Sequence, residues 1–275
     1  GMLTKEGDFV EHLFVASTHS YILFFSTTGR VYWLKVHQIP ESARVAKGKA
    51  IVNLLNLTGT ENISAFLPVR EFEEGKFIIM ATRRGVIKKS PLMEYSNPRK
   101  LGIIGITIDE GDELIGAGLT SGSNDILLCS DTGKSIRFAE KDVRPMGRVT
   151  RGVRGFELAS GCCVVGMGIV SEGNTILTVT ENGYGKRTEV AAYRFQGRGG
   201  SGVINIQTTP RNGNVVGVKQ ITGDEDVILI CSHGRIIRMA SSSVPVIGRN
   251  TKGVRLITLE EGEKVVGVAL AQKQE

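Results

Sequence analysis

Residues 178–188 read TVTENGYGKRT: a run of β-branched residues, a polar stretch closing on Gly183, and a second run carrying two cations. Glycine supplies the positive φ of a tight turn, so the stretch predicts a β-hairpin. The same unit recurs as FFSTTGRVYWLK (24–35), IMATRRGVIKK (79–89), LCSDTGKSIRF (128–138) and LICSHGRIIRM (229–239). Its turn glycines are Gly29, Gly85, Gly133, Gly183 and Gly234, separated by 56, 48, 50 and 51 residues. Three positions before each stands a small residue: Ser26, Thr82, Ser130, Thr180 or Cys231.

Two further glycine series fix the register. Gly116, Gly166 and Gly217 lie seventeen residues before a turn glycine, inside apolar runs; Gly48, Gly152, Gly202 and Gly253 lie nineteen after one, and Gly102 seventeen after Gly85. Each period thus predicts a strand, a two-stranded hairpin, a glycine-rich loop and a fourth strand such as IVNLLNL (51–57) or VRLITL (254–259). Four antiparallel strands per period of about fifty is the pattern of a propeller blade. The expected fold is all-β and propeller-like in a single domain, with repeats at 8–59, 60–109, 110–158, 159–210 and 211–260 and a partial one at 261–275. Five hairpins stand against six first-type strands, the last being KVVGVAL (264–270), which predicts an incomplete sixth blade in a piece of a longer protein. Helical patterning is weak, and its best stretch, Lys141–Met146, meets Pro145.

The composition fits this reading. Of 275 residues 35 are glycine, without a collagen triplet, and 23% are charged, near the globular average. The longest apolar stretch, Cys162–Val170, is about half of what a bilayer crossing needs. Cys129, Cys162, Cys163 and Cys231 show neither disulfide nor zinc spacing, so a reducing cytoplasm is expected and no metal. A net charge of +6 fits a polyanionic partner.

The cations recur with the repeat. Four residues past the turn glycine stand Lys89, Arg137, Arg187 and Arg238, with Trp33 the exception. Four before the later loop glycine stand Arg44, Arg148, Arg198 and Arg249, joined by Lys47, Arg151 and Lys252; the shorter second repeat offers Arg99 and Lys100. A cation at one place in each blade makes a belt that meets phosphates without reading bases. Glycine beside each arginine is expected to let the main chain approach phosphates, and the hairpin cations are expected to be exposed and cheap to replace.

Other motifs carry less. Gly197–Gly202 matches G-x-G-x-x-G but precedes the strand-like VINIQTT rather than a helix, and Thr132–Ser135 ends like a P-loop inside a hairpin turn. Cys162–Cys163 is expected to pack in a core, and Asp224–Asp226 to form a polar hairpin tip. The four histidines have no acid or nucleophile at motif spacing, so catalysis by this chain is not expected.

The segments DFVEHLFVASTH (8–19), GKAIVNLL (48–55), TRGVRG (150–155), NGYGKRT (182–188) and IGRNTKGV (247–254) closely resemble the C-terminal domain of the bacterial DNA gyrase A subunit. The resemblance runs from about Asp8 to Leu270. It implies a six-bladed β-pinwheel whose blades exchange strands and whose basic rim wraps duplex DNA, guiding an ATP-dependent type II topoisomerase toward negative supercoiling. The implied partners are double-stranded DNA, the N-terminal part of the gyrase A subunit, which this chain would continue, and the gyrase B subunit in a heterotetramer. Their place is the cytoplasm, at the nucleoid and away from membranes. No cofactor is implied for this chain; ATP and magnesium serve the other parts, where catalysis also lies. The family's wrapping box has the form Gln-Arg-Arg-Gly-Gly-Lys/Arg-Gly in its first blade. Here Gln196-Gly197-Arg198-Gly199-Gly200-Ser201-Gly202 is a degenerate copy in the fourth repeat, which places the box itself upstream of Gly1. Two alternatives stand beside this reading: the corresponding domain of topoisomerase IV, against which NGYGKRT speaks, and a propeller scaffold for proteins.

Overall fold

The computed structural model describes residues 17–40, 53–59 and 61–271. They form two compact units, one within residues 15–123 and 140–155 and the other within 124–139 and 156–271. Among them the only helical elements are short 3-10 turns, such as Glu140–Asp142 and Val190–Ala192.

The first unit holds two four-stranded antiparallel sheets. One pairs β3 (Ile63–Val69), β1 (Tyr21–Ser26), β2 (Arg30–Lys35) and β6 (Ile103–Ile104) in that order. The other pairs β10 (Val153–Arg154), β5 (Val86–Pro91), β4 (Phe77–Thr82) and β7 (Leu114–Thr120). In the second unit, β11 (Val164–Val170), β8 (Asp125–Ser130), β9 (Lys134–Ala139) and β14 (Val203–Ile204) form one sheet. β15 (Val215–Ile221), β12 (Thr175–Thr180), β13 (Tyr184–Glu189) and β18 (Val254–Arg255) form the next. The last has three strands, β17 (Ile236–Ala240), β16 (Asp226–Cys231) and β19 (Val265–Ala271).

A sequence repeat is therefore not a sheet. Each hairpin takes its long inner partner, and in four sheets its two-residue outer partner, from the repeat that follows. β19, expected to open a sixth blade, pairs with β16 and completes the fifth sheet. The expected fourth strands shrink to two residues: VRLITL contributes only Val254 and Arg255, and the described part of IVNLLNL, Asn53–Leu57, has no strand. The first-type strand expected after Asp8 lies outside the described residues.

Local chemistry explains the hairpins. The Ser26, Thr82 and Ser130 hydroxyls accept the backbone N–H four residues on, just past the turn, from Arg30, Val86 and Lys134, at 3.1–3.2 Å. That is the reason for a small hydroxyl residue three places before glycine. Gly183 sits at φ +78° and its carbonyl accepts the Leu256 amide at 2.8 Å, so one residue makes the turn and anchors the next repeat. The central hairpin strands are buried on both faces, as in Thr175–Thr180, which is why their sequence runs apolar and β-branched rather than alternating. The core of the first unit gathers Leu23, Phe25, Ile78, Met80 and Tyr95. That of the second gathers Leu177, Val179, Val227 and Leu229 in one cluster and Leu127, Cys129, Ile176 and Tyr193 in another. Burial of each such side chain contributes roughly 1.5–3 kcal/mol.

Candidate nucleic-acid interface

The hairpin cations do not form an exposed belt. The Lys89 ammonium donates to the Glu140 carbonyl at 3.1 Å and lies 3.8 Å from the carboxylate of the same residue. Arg137 donates to the carbonyls of Val190 and Tyr193 at 3.1 and 3.2 Å and pairs with Asp125 and Glu172 at 2.6 Å. Its guanidinium also lies 4.2 Å from the centre of the Phe195 ring. Arg187 donates to the Val244 carbonyl at 2.8 Å. Trp33 is no exception, since its indole N–H donates to the Tyr95 carbonyl at 2.9 Å. What recurs is a nitrogen donor reaching carbonyls of the next repeat's 3-10 turn or the residue after it. The Glu140 and Val190 carbonyls also take the amides of Val143 and Tyr193, at 2.9 and 3.0 Å, so there the hairpin cation is a second donor. Lys89 and Arg137 are 4% and 2% exposed, which corrects their assignment as phosphate contacts: their charges are satisfied inside the fold. Arg238, bonded to Asp226 at 2.6 Å, stays half exposed.

The loops differ. After its 3-10 turn the chain lies along the outer edge of the preceding hairpin, through Val143–Gly155 over β5, Arg194–Ile204 over β9 and Val244–Arg255 over β13. Main-chain bonds fix this course: the amides of Met146, Gln196 and Ile247 donate to the carbonyls of Lys89, Arg137 and Arg187 at 2.8–2.9 Å. The loop glycines face inward. A Cβ on Gly152 would meet the Ile87 carbonyl at 2.7 Å, and one on Gly202 would strike that of Ser135. These glycines let the chain press against the hairpin rather than open it to phosphates, whereas Gly147, Gly197 and Gly248, directly before Arg148, Arg198 and Arg249, have open space where a Cβ would stand.

The side chains between them face outward. Arg144, Arg151 and Arg154 are exposed on the first loop, with Arg148 partly so; Arg194 and Arg198 are exposed on the second; Lys252 and Arg255 on the third, with Arg249 partly covered. Arg99 and Lys100 are exposed on the shorter loop, while Arg44 and Lys47 lie outside the described residues. Arg148 lies 3.5 Å from Glu94, and Arg151 lies 3.2 Å from Asp109 in a solvent-exposed pair. Arg249 instead donates to the carbonyls of Ala192 and Ile204, both at 2.6 Å, and among the described residues no carboxylate forms an ion pair with it. Arg144, Arg154, Arg194 and Arg255 were missed in the sequence. They stand eight before or two after the loop glycine, a phase that only the course of the loop along the hairpin edge reveals.

Two buried lysines underlie two of these loops. Lys88 and Lys186, three residues past their turn glycines, have no exposed surface. Lys186 donates to the carbonyls of Gly248 and Arg249 at 2.6 and 2.7 Å, and Lys88 to those of Gly105, at 2.7 Å, and Arg148. Burial pushes both ammonium groups down to about 7, with the neighbouring Arg148 or Arg249 adding to it. Under the second loop the same position holds Ile136, also fully buried. In that loop the run Gln196–Gly202 bonds through its main chain: the Gln196 amide donates to the Arg137 carbonyl, and the Gly200 carbonyl accepts from the Glu157 amide at 3.0 Å. The G-x-G-x-x-G stretch is followed by β14, not a helix. Cys162 and Cys163 are half-buried before β11 rather than in a core, and the Cys163 thiol donates to Asp131 at 3.3 Å.

Comparisons with known proteins place this architecture. The profile described as DNA gyrase C-terminal domain, beta-propeller matches residues 20–70, 76–121, 124–161, 174–222 and 225–272. Over 264 residues the chain is 50% identical to the DNA gyrase A subunit of Klebsiella oxytoca and 48% identical to that of Escherichia coli K12, covering 96% of itself and 30% of each relative. It thus spans about a third of the length of those relatives. Among solved structures it resembles the C-terminal domain of DNA topoisomerase IV, with TM-score 0.85, 23% identity and coverage of 93% of this chain and 80% of that one. It also resembles a DNA gyrase A C-terminal domain, with TM-score 0.79, 22% identity and coverage of 98% and 92%. These two likenesses concern the fold. The profile match covers most of the chain, repeat by repeat, and the chain belongs to the DNA gyrase C-terminal domain family of β-propellers.

Proposed function

We propose that this chain is a non-catalytic module that binds and bends duplex DNA within a gyrase. It works in the cytoplasm, at the nucleoid, beside the N-terminal part of the gyrase A subunit, while the gyrase B subunit supplies the ATP-driven step of supercoiling. The observation that carries the reading is the loop file Arg144, Arg148, Arg151 and Arg154 over β5, with Arg249, Lys252 and Arg255 over β13. Cations three or four residues apart along a chain are at most about 10–14 Å apart, and the turn at 148–150 and the bend at 249–251 shorten that span. Their long side chains cover the intervals between successive phosphates. Contacts of this kind read no bases, so the expected target is duplex DNA of any sequence. The 48–50% identity to gyrase relatives supports gyrase over topoisomerase IV, and repeated outward cations support DNA over a protein partner.

The test is duplex binding by the chain across a salt series. A log–log slope of several units is expected, at about 0.9 per neutralised phosphate, whereas a slope near zero would leave a protein scaffold as the better account. Wrapping is the finer expectation. Bending 20–30 base pairs costs roughly 1–6 kcal/mol, so a chain whose only box-like run has Gly197 and Ser201 in place of cations should bind DNA yet trap little writhe. Nicked plasmid religated with saturating protein gives the linking number directly. Trapped positive writhe equal to that of a version extended upstream by one blade would show that Arg198 and its glycines serve as a working box.

A further inference from the structure

Beyond the loop file, the second unit brings two arginines of distant segments onto one phenol. Arg211 Nε and Arg255 Nη2 both donate to the Tyr184 hydroxyl at 3.1 Å, so the two donor nitrogens lie no more than about 6 Å apart. Their guanidinium carbons lie 5.1 and 5.6 Å from the ring centre. Tyr184 is 6% exposed, whereas both arginines reach the surface. Among the described residues no carboxylate forms an ion pair with either; the nearby Glu181 is taken by Lys264 at 3.4 Å and the Asn214 amide at 3.0 Å.

The surroundings hold this pair together. Asn212, 1% exposed, accepts from the Thr209 amide and hydroxyl at 2.7 and 2.9 Å. It donates to the carbonyls of Gln207 and Lys252 at 2.8 and 3.0 Å, tying the turn that bears Arg211 to the loop that bears Arg255. Asn182 donates to the carbonyls of Pro210 and Arg211 at 3.2 Å, and Gly183 between Asn182 and Tyr184 is the hairpin turn itself. Two like charges held together with only a phenol oxygen between them are mutually repulsive, and a shared anion relieves that repulsion.

We infer that Arg211, Tyr184 and Arg255 form a preorganised clamp for one phosphodiester group of a nucleic-acid backbone, with the phenol as its positioning residue. A phosphate offers oxygens to both guanidinium forks at once, which a chloride or a lone carbonyl does not. Both arginines are exposed, so a phosphate can reach their guanidinium groups from solvent, while the phenol fixes where the two meet. The hydrogen bonds from Arg255 and Arg211 also hold the Tyr184 phenol below its ordinary value, so the same anion should raise it again.

This inference rests on the DNA-binding reading above, and the experiment separates the two. Duplex binding by the unaltered chain is measured from 50 to 300 mM salt beside Arg211→Gln/Arg255→Gln, Tyr184→Phe and the charge-matched Arg70→Gln/Lys76→Gln. The double arginine variant should lower the log–log slope by one phosphate contact, about 0.9, relative to the charge-matched control. Tyr184→Phe, which leaves every charge in place, should weaken binding several-fold with the slope unchanged. An arginine variant indistinguishable from the control, with the unaltered chain still binding steeply, would overturn the clamp and leave the DNA reading standing. No salt-dependent binding by the unaltered chain would instead overturn the DNA reading. Pyrophosphate tells the two phosphate sources apart: phosphorus-31 broadening by the unaltered chain, lost in the arginine variant while the duplex slope is unmoved, would overturn the backbone assignment in favour of a free phosphate compound.

Discussion

Loops 194–204 and 244–255 occupy the same place in successive repeats of the second unit, yet they are held down by different means. Under 244–255 the Lys186 ammonium fills two loop carbonyls, Asn212 fills a third at Lys252, and Arg249 is itself tied to Ala192 and Ile204. Under 194–204 the lysine is replaced by Ile136, and main-chain bonds at Gln196 and Gly200 do the anchoring beside the buried Arg137. Both loops carry main-chain bonds; in 244–255 a buried ammonium adds bonds to the loop's own carbonyls, whereas in 194–204 the buried charge, Arg137, holds only the turn that precedes the loop. Basic residues thus fall into two kinds, those that hold a loop and those that the loop offers to a partner, and sequence position separates them only once the acceptors are known.

The largest effect should come from the charge beneath loop 194–204. Arg137→Ala removes a buried donor shared by Asp125, Glu172 and the Val190 and Tyr193 carbonyls, and because Asp125 and Glu172 keep 22% and 60% of their surface in solvent, the cost is about 3 kcal/mol. Chemical denaturation measures it; a change below about 1 kcal/mol would return Arg137 to the class of ordinary surface charges.

Alkali should sharpen the contrast next. Lys88 and Lys186 titrate near 7 in the folded chain, against an ordinary value of 10.5, so the unfolded chain holds more protons between those limits. Stability should therefore rise with pH through that window, by about 2 kcal/mol per lysine between pH 7 and 9. Lys186→Met should remove about half of the rise, and Ile136→Leu none of it. A denaturation midpoint flat across this range would show that the carbonyls keep both lysines protonated.

At fixed pH, Lys186→Met should cost about 1–2 kcal/mol, because it removes two bonds to the Gly248 and Arg249 carbonyls, which keep only the Thr251 hydroxyl and amide. Hydrogen exchange should quicken at the Thr251 and Leu256 amides while the Gln196 amide is unmoved; equal acceleration in both loops would erase the distinction. The smallest effect on stability belongs to Arg198→Ala, within about 0.5 kcal/mol. Its duplex salt slope should nonetheless fall by about 0.9, whereas Ser201→Ala should change neither quantity.

Hairpins and repeats were legible because a tight turn and a buried two-stranded ribbon are local demands. Gly29 through Gly234 and the small residues three places earlier announce them one by one. The hairpin cations were legible as a pattern but misread in role. Lys89, Arg137 and Arg187 recur because each repeat presents carbonyls to the hairpin before it, and Trp33 does the same work without charge. Nothing in a sequence marks which carbonyl of the next repeat will take a side-chain donor. The loop cations were partly legible, through Arg148, Arg198 and Arg249. Arg144, Arg154, Arg194 and Arg255 needed the course of the loop before their phase meant anything.

By itself the sequence determined the all-β class, the period, the turns and the basic balance, since each rests on local patterns and on their recurrence along the chain. Tertiary structure alone decided which repeat supplies the outer strand, which cations are consumed inside, and which two arginines meet at Tyr184. The reason is the same in each case. The partner of an outer strand, a buried ammonium or a guanidinium lies up to about seventy residues away, and whether a charge faces water or a carbonyl is settled only when the next repeat folds against it.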